Sequence, residues 1–133
     1  MDRLAFAILV IVGLINLFPV IGITSPEVLI RLYDIDALDG DLLILMRHRA
    51  LLFGIIGAFI GYSAFVHHLR PAAIVIGLAS MLGFTVLAFT AGELGEKLYN
   101  VAIIDALASL ALGIVAMNHL RKVNSKRSRS IDK

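Results

Sequence analysis

Four long apolar stretches constrain this chain more than any other feature of its sequence. They cover residues 4–23, 42–66, 72–92 and 98–117, and each reaches the about 20 residues that a helix needs to cross about 30 Å of hydrocarbon. Only 17% of the 133 residues are charged, against about 25% in soluble domains. The chain therefore has too little polar surface for a water-soluble globule. We predict an all-α membrane protein, a four-helix bundle with up-down-up-down topology.

The segment between the first two spans is predicted to form a short amphipathic helix, about 26–35, on the outer membrane surface. Ser25 suits the N-cap of this helix and Pro26 its first position. The apolar side chains that follow share one face and the charged ones the other. Pro19 is expected to kink or end the first span. We expect that span to be retained rather than cleaved as a signal peptide.

Lysine and arginine determine the predicted orientation. With both termini in the cytoplasm, eight of the twelve basic residues lie on the cytoplasmic side, as the positive-inside rule requires. These eight are Arg3, Arg70, Arg121, Lys122, Lys126, Arg127, Arg129 and Lys133. We predict a multi-pass protein of a bacterial cytoplasmic (inner) membrane. Residues 121–133 would form a disordered basic tail near anionic headgroups, a topology anchor rather than a nucleic-acid-binding segment.

Polar side chains inside three of the spans predict a polar level toward the outer face. Arg47 and Arg49 lie about 8–10 Å deep in the second span, and Asp105 reaches a similar depth in the fourth. An unpaired carboxylate is costly in hydrocarbon, so we predict that Asp105 pairs with an arginine, preferably Arg47. The cluster, either a ligand site or only a structural lock, comprises Arg47, His48, Arg49, Asp105, Asn16 and Asn100.

Small residues recur along the spans and predict where helices approach closely. Gly57 and Gly61 form a GxxxG motif, which serves helix packing within a bundle or between two copies. We expect packing within the chain. The glycines assigned to helix packing are Gly54, Gly57, Gly61, Gly77 and Gly113.

Other groups of residues predict no chemistry. His67, His68 and His119 gather at the cytoplasmic ends of two spans, where we interpret them as interfacial residues and a metal site as the alternative. The acidic segment 34–41 does not have the spacing of an EF-hand loop. The sequence contains no P-loop, nucleophile elbow or zinc-protease motif. We therefore predict no catalytic residue, metal or cofactor.

The run from Leu42 to Gly54, with Arg47-His48-Arg49 at its centre, resembles a segment of small bacterial four-span inner-membrane proteins. Leu32-Tyr33 and the stretch 79–81 are similar too. Some members of that family carry a phosphopantetheine adenylyltransferase label, but the His-x-Gly-His motif of the soluble enzyme is missing from this sequence. The resemblance implies a topology and no particular activity.

Three functions are compatible with these features. The first is a binding or accessory protein for a lipid, a small hydrophobic ligand or a membrane complex. The second is a subunit of a small oligomeric transporter or channel that uses the Arg–Asp pair. The third is a membrane enzyme acting on a lipid headgroup. The expected partners are membrane lipids and either further copies of the chain or a larger membrane complex.

Overall fold

The computed structural model describes residues 3–34 and 40–131, with the backbone alone for 122–124 and 126–131. These residues form five α-helices and two short 3₁₀ segments, which confirms the predicted all-α class. The helices are α1 (Arg3–Leu17), α2 (Pro26–Tyr33), α3 (Gly40–Ser63), α4 (Arg70–Thr90) and α5 (Glu96–Ile131), and the 3₁₀ segments are Phe18–Ile23 and His67–Leu69.

Four of the helical segments are long and apolar enough to cross a membrane. They run over Arg3–Ile23, Gly40–Ser63, His67–Thr90 and Glu96–Arg121, close to the predicted spans. Many of their large apolar side chains lie on the outer surface of the bundle. Leu87, for example, is 70% exposed and Leu110 is 67% exposed. A soluble protein rarely leaves contiguous apolar surface of this extent in water. The four segments therefore have the character of membrane-spanning helices.

Two helix ends follow from local chemistry. α1 ends at Leu17 and continues as the 3₁₀ segment Phe18–Ile23, with Pro19 at its start. Proline cannot donate the hydrogen bond that would continue the α-helix. α5, in contrast, extends to Ile131, where a disordered tail from residue 121 is predicted. Lengthening an existing helix requires no new nucleation, so each further residue gains a backbone hydrogen bond at little cost.

The core lies where the four long helices meet. Leu9 of α1, Ile60 of α3, Met81 of α4 and Leu112 of α5 are each 0% exposed and belong to one cluster. Ala64 and Ala73 complete its small-residue positions. The core thus joins side chains from all four long helices.

Glycines bring α1 and α3 into backbone contact. A Cβ added at Gly57 would lie 2.6 Å from the carbonyl oxygen of Gly13 and 2.8 Å from the backbone nitrogen of Leu17. A Cβ at Gly13 would lie 2.8 Å from the nitrogen of Gly61. The GxxxG motif of α3 thus packs within the chain, against α1.

The other packing glycines differ in their surroundings. A Cβ at Gly77 would lie 2.9 Å from side-chain atoms of both Ile60 and Leu112, and one at Gly54 would meet Val20. A Cβ at Gly113 would meet nothing within 4 Å. Gly61 gives the same result, so at neither position does a described neighbour occupy the space that a side chain would need.

Candidate functional site

A cavity of about 480 Å³ lies at the end of the bundle where α2 sits. Its volume falls in the range of small-molecule sites, about 300–1,000 Å³. Eight of its lining residues are apolar and three are polar. The apolar ones are Leu14, Ile15, Phe18, Pro19, Leu32, Phe53, Val101 and Ile104, and the polar ones are Asn16, Tyr33 and Asp105. The cavity thus combines an apolar body with a small polar set.

The segment that follows α1 forms part of the cavity wall. The chain passes from α1 into the 3₁₀ segment after Leu17, and α2 then packs against this segment and against α5. Leu29 of α2 is fully buried, against Gly22 of the 3₁₀ segment. Leu32 and Tyr33 of α2 then face the cavity. The predicted amphipathic helix is therefore one wall of the site.

A contact to α5 fixes the other end of α2. The Lys97 Nζ donates a hydrogen bond to the backbone carbonyl of Arg31 at 2.9 Å and lies 3.2 Å from Asp34 Oδ1. Asp34 ends α2 in the left-handed conformation, with φ 56°. Residue 35, the last of the predicted helix, lies outside the described residues. Lys97 satisfies a carbonyl that the helix end leaves unpaired.

Asn16 and Asp105, two members of the predicted polar cluster, both line the cavity. Asn16 is 4% exposed, and its Nδ2 donates to the carbonyl of Val12 at 3.0 Å and approaches the Met81 sulfur at 3.5 Å. Within the described residues no donor reaches the Asn16 Oδ1. The amide group therefore turns its N–H side toward protein and leaves its acceptor free.

Asp105 is 7% exposed and has no direct ionic partner in the part of the chain that the structure describes. Its backbone carbonyl accepts a hydrogen bond from Ser109 Oγ at 2.8 Å, but no side-chain or backbone donor there reaches its carboxylate. The predicted ion pair between Asp105 and an arginine is therefore not formed among the described residues. A buried carboxylate without a hydrogen bond is a costly arrangement.

Arg49 is held by three aromatic rings instead of by Asp105. Its guanidinium carbon lies 4.4 Å from the ring centre of Phe84, 5.1 Å from that of Phe53 and 5.3 Å from that of Tyr33. Cation–π attraction of this kind is worth about 0.5–2 kcal/mol. The Arg49 Nη2 atom is buried and has no hydrogen-bond partner among the described residues. The rings thus separate the arginine from the cavity that two of them line.

Burial also keeps the Tyr33 hydroxyl protonated. Desolvation raises the pKa of the Tyr33 phenol, Asp105 raises it further, and the charge of Arg49 opposes this. A neutral hydroxyl can donate one hydrogen bond and accept another. Tyr33 therefore adds an adaptable polar group to the site.

The remaining residues of the predicted cluster lie elsewhere. Arg47 is half-buried toward α2, where the Ser25 hydroxyl, the backbone amide of Glu27 and then the charges of Arg31 and Arg47 lower the pKa of Glu27. The preference for Arg47 as the partner of Asp105 is thus corrected. Positions 47 and 49 lie about 200° apart around α3 and therefore face different sides of the helix, and neither arginine lines the cavity. His48 and Asn100 are exposed and do not line it.

At the opposite end of the bundle, Arg70 has a role that the sequence does not indicate. It is 8% exposed, and it donates to the carbonyls of Ser63 (Nε, 3.2 Å) and Ala64 (Nη2, 2.7 Å) at the end of α3. The sequence places Arg70 among the basic residues of the predicted cytoplasmic side and does not indicate these hydrogen bonds. His67 and His68, nearby, are exposed, and the described residues contain no group of three His, Cys, Asp or Glu placed to hold a metal.

The comparisons with known proteins add no relative. The chain matches no protein-family model, no curated protein and no solved structure. Its class therefore follows from its own residues: the described part of the chain is all-helical, with four helices of membrane-spanning length and composition and a partly polar cavity between helices.

Proposed function

We propose that this is a multi-pass membrane protein that binds a small apolar molecule or a lipid in the cavity between α1, α2, α3 and α5. The observation that carries the proposal is the composition of the cavity, apolar throughout except for Asn16, Tyr33 and Asp105. Binding sites for small molecules have this composition, because apolar walls supply contact area and a few polar groups fix orientation.

The walls of the cavity suit an apolar occupant. Its eight apolar side chains offer dispersion contacts to a molecule that fits between them. The Asp105 carboxylate, 7% exposed, lacks a hydrogen bond from the described part of the chain. A molecule that fills the cavity supplies contacts to the wall and satisfies this group at once. The proposed role is therefore binding or accessory.

The placement in the membrane is part of the proposal. The chain would lie in a bacterial cytoplasmic membrane as an up-down-up-down bundle with both termini in the cytoplasm. The excess of basic residues at the chain ends and near Arg70 supports this orientation. The cavity would then lie in the outer half of the bilayer, with α2 at the outer surface.

Single cysteines test the orientation, because the natural sequence contains none. Glu93, in the turn between α4 and α5, and Ser125, near the end of α5, are both exposed. In intact cells with a permeable outer membrane, a membrane-impermeant maleimide should label Glu93→Cys and leave Ser125→Cys unlabelled until the cells are broken. Labelling in the opposite order would overturn the orientation.

A cavity-filling variant tests the binding function. Val101 lines the cavity, whereas Leu107, six residues along the same helix, is 61% exposed on the outer surface of the bundle. Native mass spectrometry of the purified protein should show a retained small molecule at about one per chain. Val101→Phe should lose most of the bound molecule, because the phenyl ring occupies part of the cavity. Leu107→Phe should retain the bound molecule.

Two outcomes would contradict the binding function. One is a wild-type protein that carries nothing beyond exchangeable detergent. The other is equal retention by the two phenylalanine variants, which would place the bound molecule outside the cavity. Melting temperatures of both variants show whether Val101→Phe has only unfolded the protein.

A further inference from the structure

We infer that the ligand of this cavity has an apolar body and a headgroup that donates a hydrogen bond, a hydroxyl or an amine, to Asp105. The inference rests on the proposed binding function and specifies its chemistry. It follows from two observations: the cavity is lined by hydrogen-bond acceptors, and the nearby guanidinium group of Arg49 does not line it.

The cavity offers acceptors. The Asp105 carboxylate receives no hydrogen bond from the described residues, and the Asn16 Oδ1 receives none either. An ionised carboxylate can only accept, and the free atom of this amide is its oxygen. Only the Tyr33 hydroxyl can both donate and accept. A ligand without a donor would leave the carboxylate unsatisfied.

The positively charged group near the cavity, Arg49, is covered by aromatic rings. The guanidinium of Arg49 is packed against Tyr33, Phe53 and Phe84 at 4.4–5.3 Å from the ring centres, and its Nη2 is buried. Arg49 does not itself line the cavity, whereas Asp105 does. An anionic headgroup in the cavity would therefore meet a carboxylate before it met an arginine, and like charges repel. A free fatty acid in its ionised form is disfavoured.

The two donor headgroups, a hydroxyl and an amine, differ in charge. We expect a smaller difference in affinity between these two than between either of them and an anionic headgroup. An ammonium gains more from the carboxylate than a hydroxyl does, since hydrogen bonds between charged groups are stronger. The same ammonium is repelled by Arg49 beyond the rings. Both headgroups satisfy Asp105, and the shared property is the donated hydrogen bond.

Competition among four alkyl probes of equal chain length tests the inference. The protein in a non-ionic detergent receives an equimolar mixture of dodecanol, dodecylamine, dodecanoate and dodecyl methyl ether, and native mass spectrometry measures the occupancy of each. We expect dodecanol and dodecylamine each to exceed the ether and dodecanoate by about tenfold, the effect of a hydrogen bond to a charged group.

Two variants assign the preference to Asp105. Asp105→Leu should bind dodecanol and the ether equally, because the acceptor is gone. Asp105→Asn keeps an acceptor oxygen and has nearly the same shape, so it should still prefer dodecanol to the ether while tolerating dodecanoate better. The wild-type preference itself requires no variant, so a misfolded Asp105→Leu does not leave the inference untested.

The outcomes separate the two proposals. Equal occupancy by dodecanol and the ether in the wild-type protein overturns the donor requirement and leaves the binding function standing. A preference for dodecanoate overturns it in favour of recognition by Arg49. Binding of none of the four probes, together with equal retention by Val101→Phe and Leu107→Phe, overturns the binding function and the inference with it.

Discussion

Gly57→Ala is expected to lower the free energy of unfolding by about 1–3 kcal/mol, the range for overpacking a closely fitted interior. The new Cβ would lie 2.6 Å from the Gly13 carbonyl oxygen and 2.8 Å from the Leu17 nitrogen. Both are backbone atoms, which cannot move aside as a flexible side chain does. The two helices must therefore separate, and the contact between α1 and α3 loosens along its length. Unfolding in mixed detergent micelles measures the change.

Gly61→Ala is the matched control for this prediction. It lies one turn further along α3 in the same motif, but a Cβ there would meet nothing within 4 Å. Alanine has the higher helix propensity, by about 1 kcal/mol in water, so Gly61→Ala should be neutral or slightly stabilising. Equal destabilisation by the two variants would show that α1 and α3 do not cross at Gly57.

Arg70→Met is expected to destabilise the protein by about 1–3 kcal/mol for each buried carbonyl that it leaves unpaired. The guanidinium donates to the carbonyls of Ser63 and Ala64, where α3 ends. Methionine fills a similar volume but donates nothing. The stability of Arg70→Lys should lie between those of the wild-type protein and Arg70→Met, since a single ammonium lacks the planar fork of the guanidinium. Thermal unfolding in detergent measures the series.

A second charge variant separates this hydrogen bonding from membrane orientation. Arg121 lies on the same predicted side of the membrane and is exposed. Arg121→Met removes one basic residue there without removing a described hydrogen bond. It should therefore leave the melting temperature nearly unchanged. If Arg121→Met and Arg70→Met have the same effect, the role of Arg70 is that of a topological charge alone.

The four long apolar helices could be predicted from the sequence because they depend on local composition. An apolar run of about 20 residues is long enough for a helix that crosses a membrane, and the four helices lie close to the predicted bounds. Asn16 and Asp105, which the sequence places at similar depths, both line the cavity. Pro19 likewise acts locally: it ends α1 near Leu17 through its missing N–H.

The partners of the charged residues could not be predicted, because they depend on how helices rotate against one another. Arg49 binds aromatic rings contributed by α2, α3 and α4, and no spacing within one helix indicates that convergence. Arg70 reaches carbonyls that become available only where α3 ends. Gly113 has the same type of position in sequence as Gly77, yet only Gly77 meets side chains of other helices.

The role of Tyr33 as a wall residue of the cavity could not be predicted from the sequence either. The apolar face of the α2 segment is visible in the sequence, but the surface that it covers is not. In the structure α2 packs against the 3₁₀ segment and α5, so that Tyr33 lines the cavity. A wall residue of this kind carries no motif.

Occupancy of the cavity can be measured with a single tryptophan, because the natural chain has none. Phe53 lines the cavity, and Ile55, two residues along α3 at a similar depth, is 58% exposed on the outer surface of the bundle. The measurement is quenching of each tryptophan variant by ω-bromododecanol in nanodiscs. Phe53→Trp should be quenched steeply and saturably at a low fraction of probe, and Ile55→Trp only in proportion to the probe dissolved in the bilayer. Superimposable curves for the two variants would contradict binding in the cavity.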